Sequence, residues 1–379
     1  MLDQALALAR EAVGLASPNP TVGCLLTRDG TILGTGAHHY DALDHAEITA
    51  LKQAATKGHN ARGATAYVTL EPCSFYGRTG PCADALVHAG IARCVIATVD
   101  PNPKVSGAGI AKLRAAGVEV VVAKTTSSIA QQARRLNDAF AFSIQYGRPF
   151  VTLKAALSVD GMLAPPNRDR RTAQPVWITG PETRADVQLL RHSNDAILTG
   201  SGTVRMDNPL LTDRTGLPRR RPLLRVVLDS ALTTGPNSRM LQTISDDLIF
   251  FVLGLAPAER CNRIRAKGAE VIATPQLESG WMDLKSVLRS LHEKQIRSVL
   301  LEGGSGINKN FLAAGLVDQV VFYFSETELG KDAIPFATGT SPYVLQERLT
   351  AISREWFINA TTTDVKVSGY LHDPWSNIP

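Results

Sequence analysis

Residues 71–82 read EPCSFYGRTGPC, and both cysteines in this stretch, Cys73 and Cys82, follow a proline. Cys73 stands at the end of a predicted strand and Cys82 at the start of a predicted helix. Upstream, residues 45–47 read His-Ala-Glu at the start of another predicted helix. One imidazole and two thiolates are donors that hold a tetrahedral zinc ion on three sides and leave the fourth position for water. We therefore expect His45, Cys73 and Cys82 to bind zinc.

Glu47 follows the candidate ligand His45 by two residues and is the expected proton carrier. A carboxylate beside a metal-bound water can take its proton and pass it to a departing amine. On a continuing helix Glu47 would point nearly opposite to His45, so the site must lie at the first turn. A glutamate that is not a ligand, beside one histidine and two cysteines, is the arrangement of zinc nucleobase deaminases. The remaining cysteines, Cys24, Cys94 and Cys261, are expected to be buried core residues.

Each of these residues on its own has a structural explanation. An isolated histidine at a helix start is more often a polar surface residue, and a lone cysteine is more often buried in a core. The ordered set of His45, Glu47, Cys73 and Cys82 makes those explanations improbable together. A purely structural zinc is the alternative, but such sites usually have four protein ligands.

Continuous apolar strands alternate with helices on both sides of this motif. Asp29-Gly30 predicts a tight hairpin turn between two strands, and the alternation indicates a sheet covered by helices on both faces. The stretch Ser127–Tyr146 is predicted to be helical and amphipathic, and it ends at 147–149, Gly-Arg-Pro, where we place a domain boundary. A second and larger α/β series follows. The predicted domains are therefore residues 1–147 and 148–379.

Composition limits the classes of function. The chain has 379 residues, of which 44% are hydrophobic and 20% charged, as in globular proteins of two domains. A net charge of +5 and an aromatic content of 6% argue against the alternative of a deaminase that acts on nucleic acid. No stretch approaches the roughly 20 apolar residues of a membrane span. We expect a cytoplasmic protein that binds neither nucleic acid nor membrane.

Two clusters of arginines stand out within this modest charge. One contains Arg168, Arg170 and Arg171, and the other is Arg219–Arg220–Arg221. Both are interpreted as solvated surface, because basic runs are common there. Attraction of a phosphorylated ligand is the alternative.

Residues 71–82, together with 18–24 (PNPTVGC), closely resemble the deaminase half of the RibD family of bifunctional riboflavin biosynthesis proteins. The general deaminase signature has two residues between its cysteines, whereas eight residues, Ser74–Pro81, stand here. That longer loop distinguishes the RibD family from other zinc deaminases. Family members often carry histidine in place of Phe75 and proline in place of Gly80. The resemblance implies that Phe75 removes one polar contact to the substrate without affecting metal binding or proton transfer.

The resemblance implies a cytidine-deaminase-like α/β/α fold for the first domain. It also implies that Asn19 and the loop from Ser74 to Thr79 contact a pyrimidine. For Asn19 a turn position between two prolines is the alternative.

The resemblance continues past residue 150 and implies a dihydrofolate-reductase-like α/β domain that uses NADPH. Four stretches carry it, namely VTLKAALSVDG (151–161), WIT (177–179), TGSGTVRMDNPLLTDR (199–214) and LEGGSGINKN (301–310). We interpret the third as a glycine-rich turn with polar and cationic groups. In the last, glycines let the backbone approach a phosphate, and free amides at a helix start bind its charge, although a simple tight turn is the alternative. It is not the G-x-G-x-x-G fingerprint, which disfavours a Rossmann domain.

Carried over by position, the resemblance implies cofactor and substrate contacts in this domain. The NADPH contacts are Ala156, Trp177, Thr203, Asp207, Ser230, Gly304, Ser305, Gly306, Ile307, Asn308, Lys309 and Asn310. The substrate contacts are Arg191, Leu211, Arg214 and Glu302. The guanidinium groups of Arg191 and Arg214 suit a ribose 5-phosphate, with a surface position as the alternative. Lys154 and Asp207 are candidates for proton delivery, with a structural ion pair as the alternative.

Three departures from the family pattern concern the segment between Gly161 and Trp177. The segment is longer than usual, and Pro175 stands where a substrate-binding serine is expected. Met162 also stands where relatives often have a basic residue.

The activity implied by the resemblance has two steps on a small phosphorylated pyrimidine. The first is hydrolytic deamination of 2,5-diamino-6-ribosylamino-4(3H)-pyrimidinone 5′-phosphate. The second is NADPH-dependent reduction of the ribosyl group, which gives 5-amino-6-ribitylaminouracil 5′-phosphate. The protein is expected to be a homo-oligomer.

Overall fold

The structure is a computed structural model that describes residues 1–166, 177–359, 362–376 and 378. Arg168, Arg170, Arg171 and Pro175, singled out above, lie outside the described residues. The chain divides into two compact units. The first contains Met1–Gly147, Pro218–Arg221 and the segment that begins at Pro374, and the second contains Arg148–Leu217 and Pro222–Asp373. Within the described ranges, every helix is too short or too polar to cross a lipid bilayer.

Helices and strands alternate along the first unit. Its helices are α1 (Leu2–Glu11), α2 (Ala46–Thr56), α3 (Cys82–His88), α4 (Ala108–Ala115), α5 (Ser128–Arg135) and α6 (Asp138–Tyr146), with a short 3-10 helix at Tyr40–Ala42. Its strands are β1 (Gly23–Arg28), β2 (Thr31–Ala37), β3 (Thr65–Val68), β4 (Arg93–Ile96) and β5 (Glu119–Val122). The sheet order is β2-β1-β3-β4-β5. Strand β1 is antiparallel to β2 and β3, whereas β3, β4 and β5 are parallel.

The predicted hairpin is confirmed. Asp29 and Gly30 connect β1 to β2 with φ of 51° and 78°, the left-handed backbone that a tight turn of this kind requires.

Glycines on β1 and β2 bring helix backbone directly onto the sheet. A Cβ on Gly23 would lie 2.0 Å from the carbonyl oxygen of Ala5 in α1. A Cβ on Gly36 would lie 2.1 Å from the carbonyl oxygen of Ala46 in α2, and Gly34 has a similarly close neighbour in the same helix. Gly23 pairs with Ala37, the neighbour of Gly36 on β2. Because adjacent residues of a strand point to opposite faces, Gly23 and Gly36 face opposite ways, and α1 and α2 cover opposite faces of the sheet. The expectation of a sheet covered on both faces is confirmed for this unit.

The stretch Ser127–Tyr146, predicted to be helical, forms two helices, α5 and α6, with Leu136 and Asn137 between them. The Asn137 side-chain oxygen accepts a hydrogen bond from the Thr21 backbone N–H at 2.7 Å, and its amide donates to the Thr21 carbonyl at 3.1 Å. The buried side chain thus pairs with the backbone of Thr21 as a neighbouring strand would. This pairing anchors the segment that leads into β1.

The second unit is built on a longer, mostly parallel sheet. Its strands are β6 (Phe150–Leu157), β7 (Met162–Ala164), β8 (Ala196–Gly200), β9 (Leu224–Leu228), β10 (Leu248–Leu253), β11 (Glu270–Thr274), β12 (Ser298–Leu301), β13 (Gln319–Phe324), β14 (Ile334–Pro335), β15 (Thr350–Ile358) and β16 (Thr363–Tyr370). Its helices are α7 (Pro181–Ser193), α8 (Ser201–Asp207), α9 (Arg239–Gln242), α10 (Ala258–Arg265), α11 (Leu284–Glu293), α12 (Ser305–Ala313) and α13 (Pro342–Glu347). The main sheet has the order β11-β10-β9-β8-β12-β6-β13-β16-β15. The first seven strands of this order, from β11 through β13, are parallel to one another. The last two, β16 and β15, pair in antiparallel fashion.

Two features of this unit differ from what the sequence indicates. The alternating α/β pattern does not reveal the hairpin of β15 and β16. Strand β15 forms an edge of the sheet and most of its side chains are exposed, so it lacks the alternation that marks a half-buried strand. The glycine-rich turn expected after Thr199 is the start of α8, for which Gly200 is the residue before the first turn.

Strand β12 is inserted between β8 and β6, although it follows both in the chain. Because β6, β8, β9 and β12 are parallel, their carboxyl ends lie at one edge of the sheet. The strand order reverses here, since the chain passes from β6 to β8 in one direction and from β12 to β13 in the other. In open α/β sheets such an edge is where ligands bind.

Replacement of Gly36 by Ala is expected to lower the free energy of unfolding of the first unit by about 1–3 kcal/mol, because the added Cβ overlaps helix backbone that cannot rotate away. Urea unfolding measures the change. Gly80→Ala is the control, since its Cβ would make an ordinary contact at 3.6 Å with the Tyr76 ring. Equal stability of the Gly36 and Gly80 variants would contradict the prediction.

Candidate functional site

Three elements of the first unit bring the candidate zinc ligands together. His45 immediately precedes α2, Cys82 is the first residue of α3, and Cys73 lies in the loop that follows β3. His45 Nδ1 lies 3.1 Å from Cys82 Sγ and 3.5 Å from Cys73 Sγ. All three donor atoms lie within 4.8 Å of one another. Donor atoms around one tetrahedral zinc are roughly 3.5–3.8 Å apart, as follows from Zn–N and Zn–S bond lengths, so the set fits a single ion.

Cys73 is poised as a thiolate. Its sulfur accepts a hydrogen bond from the backbone N–H of Cys82 at 3.3 Å. Hydrogen bonding from the Cys82 side chain, assisted by His45 and opposed by burial, lowers the pKa of the Cys73 thiol well below its ordinary value. The thiolate is the form of cysteine that binds a metal.

Glu47 is the second residue of α2 and is only 4% exposed. Burial and then the nearby Cys73 raise the pKa of the Glu47 carboxyl to about 7, while His45 acts in the opposite direction. A bound cation would lower this pKa again. The structure thus places the carboxyl in a water-poor position among the three donors, where it can exchange a proton.

His38 is a residue of this site that the sequence patterns do not reveal. Its Nδ1 lies 2.9 Å from the carbonyl oxygen of Asp44, which can only accept, so Nδ1 carries the proton. Burial lowers the pKa of His38 to about 4, so the ring is neutral and Nε2 accepts a hydrogen bond from Asn19 Nδ2 at 3.0 Å. The His38 ring also packs edge-on against His45, with centroids 5.2 Å apart. His38 therefore holds Asn19, a predicted substrate contact, beside a predicted zinc ligand.

Glu71 is a second residue whose role the sequence leaves open. Its buried carboxylate accepts hydrogen bonds from the backbone N–H groups of Asp100, Gly107 and Ile110 at 3.2, 3.0 and 3.1 Å. These contacts tie the loop before Cys73 to the start of α4. The only feature of the sequence that indicates this role is the position of the glutamate, just before a proline–cysteine pair at a strand end.

Gly109 in α4 secures the same junction by close packing. A Cβ at this position would lie 1.9 Å from the carbonyl oxygen of Pro72, the residue before Cys73. The helix therefore contacts the ligand-bearing loop through backbone atoms.

The second unit carries a charged cluster around Glu302, which follows β12. Arg191 donates to both carboxylate oxygens of Glu302, at 2.8 Å and 2.9 Å, and its third nitrogen donates to the Thr212 carbonyl at 3.2 Å. Burial acts to raise the pKa of Glu302, but Arg191, Lys154 and Arg214 together hold it at about 2. Burial lowers the pKa of Lys154, and the charge of Glu302 acts against that effect. Three cations thus act on the Glu302 carboxylate, and a second carboxylate, that of Asp213, also acts on Arg191.

The predicted substrate contacts of this unit differ in what they offer a ligand. The guanidinium of Arg191 is engaged by Glu302, whereas Arg214 is exposed. Leu211 has φ of 55° and a side chain buried in the core, which leaves its backbone for a ligand contact.

Several of the predicted cofactor contacts lie at or just after the carboxyl ends of neighbouring parallel strands. Ala156 lies in β6, Thr203 in α8, Ser230 just after β9, and Gly304 just before α12. Asp207 is exposed at the end of α8. Trp177 is exposed, and the Arg184 guanidinium stands 5.1 Å from its ring centre.

Within residues 304–310 the side chains divide between protein and solvent. A Cβ on Gly200 would lie 2.2 Å from Ile307, so glycine lets α12 sit close to β8. The Asn308 side chain is buried and donates to the Phe336 carbonyl at 3.0 Å. Ser305, Gly306, Lys309 and Asn310 keep partial or full exposure. Ser305 and Gly306, in the first turn of α12, are therefore among the residues that remain accessible to a ligand.

Replacement of Glu71 by Gln is expected to lower the free energy of unfolding of the first unit by about 1–3 kcal/mol and to reduce zinc retention, because the new amide group faces backbone N–H donors. Urea unfolding and the zinc content after dialysis measure both effects. Glu119→Gln is the control, since Glu119 is exposed in an ion pair with Arg93. Full zinc retention and unchanged stability of the Glu71 variant would contradict the prediction.

Comparison with known sequences matches both units to described families. The cytidine and deoxycytidylate deaminase zinc-binding region matches residues 1–98, and the RibD C-terminal domain matches residues 149–356. The riboflavin biosynthesis protein RibD of Aquifex aeolicus (strain VF5) is 38% identical over 327 residues, which cover 86% of each chain. That of Escherichia coli (strain K12) is 37% identical over 341 residues, which cover 87% of this chain and 88% of the relative.

Solved structures show the same relationship. The diaminohydroxyphosphoribosylaminopyrimidine deaminase/5-amino-6-(5-phosphoribosylamino)uracil reductase of Thermotoga maritima matches with a TM-score of 0.80 and 32% identity over 97% of both chains. Acinetobacter baumannii RibD matches with a TM-score of 0.77 and 31% identity, also over 97% of both chains. The expected fold class, a deaminase-like α/β domain followed by a reductase α/β domain, is confirmed. The chain belongs to the RibD family, the bifunctional deaminases and reductases of riboflavin biosynthesis, and contains the zinc-binding region of its deaminase part.

Proposed function

We propose that the first unit deaminates 2,5-diamino-6-ribosylamino-4(3H)-pyrimidinone 5′-phosphate and that the second reduces the ribosyl group of the product with NADPH. The observation that carries the first step is the convergence of three zinc-type donors beside the buried carboxyl of Glu47. The name of the Thermotoga maritima relative describes the same two activities for that protein. The proposed domains are residues 1–147 for the deaminase and 148–379 for the reductase, with Pro218–Arg221 packed in the first unit.

In the deaminase site, His45, Cys73 and Cys82 would hold zinc, which when bound lowers the pKa of a coordinated water to about 7. Glu47 receives a proton at its carboxylate and delivers it to the nitrogen of the departing amine. Asn19, held by His38, and the loop 74–79 orient the pyrimidine. In the described part of the chain the donor group has three members, which supports a catalytic rather than a purely structural zinc.

The reductase step adds two hydrogens to the sugar, one as hydride to C1′ and one as a proton to the ring oxygen. NADPH supplies the hydride when bound at the first turn of α12. Lys154, half-buried beside Glu302, is our candidate for the proton, and Asp207 is the alternative. Arg214 is the proposed partner of the 5′-phosphate, because its guanidinium is exposed while that of Arg191 is engaged by Glu302.

Three further expectations from the sequence belong to the same proposal. They are a homo-oligomeric state, a cytoplasmic location and the absence of nucleic-acid binding. Size-exclusion chromatography with light scattering and an RNA gel-shift test the first and the last.

Replacement of Glu47 by Gln is expected to slow ammonia release by about 10²–10⁴-fold, because the amide cannot carry the proton. Zinc content and NADPH oxidation with the deaminated substrate should stay unchanged, since Glu47 is not a proposed ligand. Glu119→Gln, which alters an exposed carboxylate of the same unit, is the control. Ammonia release by the Glu47 variant at the parent rate would refute its assigned role.

Replacement of Arg214 by Ala is expected to raise the KM of the reductase for the deaminated substrate by about 10–100-fold, because a charge-assisted phosphate contact is lost. Arg214→Lys should recover part of the affinity, and the deaminase rate should not change. Arg289→Ala removes an exposed cation of α11 and is the control. An unchanged KM for Arg214→Ala would assign the phosphate to another cation.

A further inference from the structure

Arg220 belongs to the basic run 219–221, which the sequence alone suggests is solvated surface. In the structure this residue is part of the first unit, within the segment Pro218–Arg221 that the chain reaches only after β8. Its side chain is 21% exposed, although arginines in such runs are usually solvated. Its contacts lie in the loops beside the deaminase site.

Arg220 joins two of these loops by hydrogen bonds. Its backbone N–H donates to the Gly14 carbonyl at 2.9 Å, and its guanidinium donates to the Ser17 carbonyl at 3.3 Å. The guanidinium also forms an ion pair with Asp41 at 2.9 Å. The first two contacts hold the segment that continues to Asn19, and the third holds the 3-10 helix that follows His38.

A stack of three side chains extends this connection to the loop between the two candidate cysteine ligands. The guanidinium of Arg220 lies 4.0 Å from the ring centre of Tyr40, and that of Arg78 lies 4.1 Å from the same centre. Arg78 also donates to the Tyr40 carbonyl at 3.3 Å. Each cation is attracted to the electron-rich ring, and Asp41 offsets part of the positive charge.

We propose that Arg220 is a positioning residue of the deaminase site, which fixes the two substrate-contacting segments, Asn19 and the loop 74–79, relative to each other. This inference rests on the proposed deaminase function. Arg78 and Asp41 are exposed, so their contacts with Tyr40 and Arg220 are of the weak kind that contributes little to global stability. Loss of these contacts leaves the fold intact but makes the two loops more mobile. Substrate binding must then order them, which increases the entropic cost of binding.

The test uses the full chain with Arg220→Ala, Arg220→Lys and Tyr40→Leu, and compares ammonia release from the aminopyrimidine with NADPH oxidation on the deaminated substrate. Arg220→Ala is expected to raise the KM for deamination by about tenfold, with a much smaller change in kcat and in zinc content. Arg220→Lys should restore part of the affinity, because the ion pair and the ring contact remain available to an ammonium group. The reductase constants should not change.

Tyr40→Leu should raise the same KM, and the double variant with Arg220→Ala should be less impaired than the product of the two single effects, because both residues act through one stack. Arg114→Ala, which removes an exposed arginine of α4, is the control and should match the parent. An unchanged KM in Arg220→Ala overturns the inference. So does a result in which all variants lose kcat and zinc content to the same extent as their KM rises. A parent protein that releases no ammonia overturns the proposed function, and the inference with it.

Discussion

The contact between α2 and β2 through backbone atoms is the constraint on which the deaminase site depends. Gly36 on the strand lies against the carbonyl of Ala46, with no room for a side chain between them. Ala46 is the residue between His45 and Glu47. The distance between α2 and the sheet therefore sets the positions of His45, the candidate metal ligand, and Glu47, the candidate proton carrier, at the same time.

The other two candidate ligands are positioned by independent contacts of comparable rigidity. Cys73 lies in a loop that is held by Glu71, whose carboxylate accepts hydrogen bonds from three backbone N–H groups. Gly109 lets α4 pack against the carbonyl of Pro72, the residue before Cys73. Cys82 begins α3, and its backbone N–H donates to Cys73. Glycines and one buried carboxylate thus build a preorganised donor set, whereas the exposed loops around it depend on weaker contacts such as the stack on Tyr40. A rigid centre with adjustable surrounding loops suits a site that must admit a substrate and release a product.

In the second unit the corresponding constraint is the insertion of β12 between β8 and β6. It brings the first turn of α12 and the carboxylate of Glu302 to the edge where the parallel strands end. Glu302 stays ionised because Arg191, Lys154 and Arg214 hold its pKa low, and the exposed Arg214 offers a cation to an anionic ligand. Sheet topology and local electrostatics therefore favour the same edge.

The sequence by itself determined the features that depend on neighbours within a few residues. These are the Asp29-Gly30 hairpin, the alternation of apolar strands and helices, and the proposed set of His45, Glu47, Cys73 and Cys82, whose residue types and order carry the chemistry. Only the tertiary structure decided which side chains meet across long stretches of chain. His38 with Asn19, Glu71 with the start of α4, Asn137 with Thr21, Arg191 with Glu302, and Arg220 with Tyr40 are such pairs. The separations of these pairs in the sequence follow no period, so local propensity and hydrophobic periodicity cannot reveal them. An exposed edge strand such as β15 has no buried face, so it also lacks the alternating pattern by which strands are predicted.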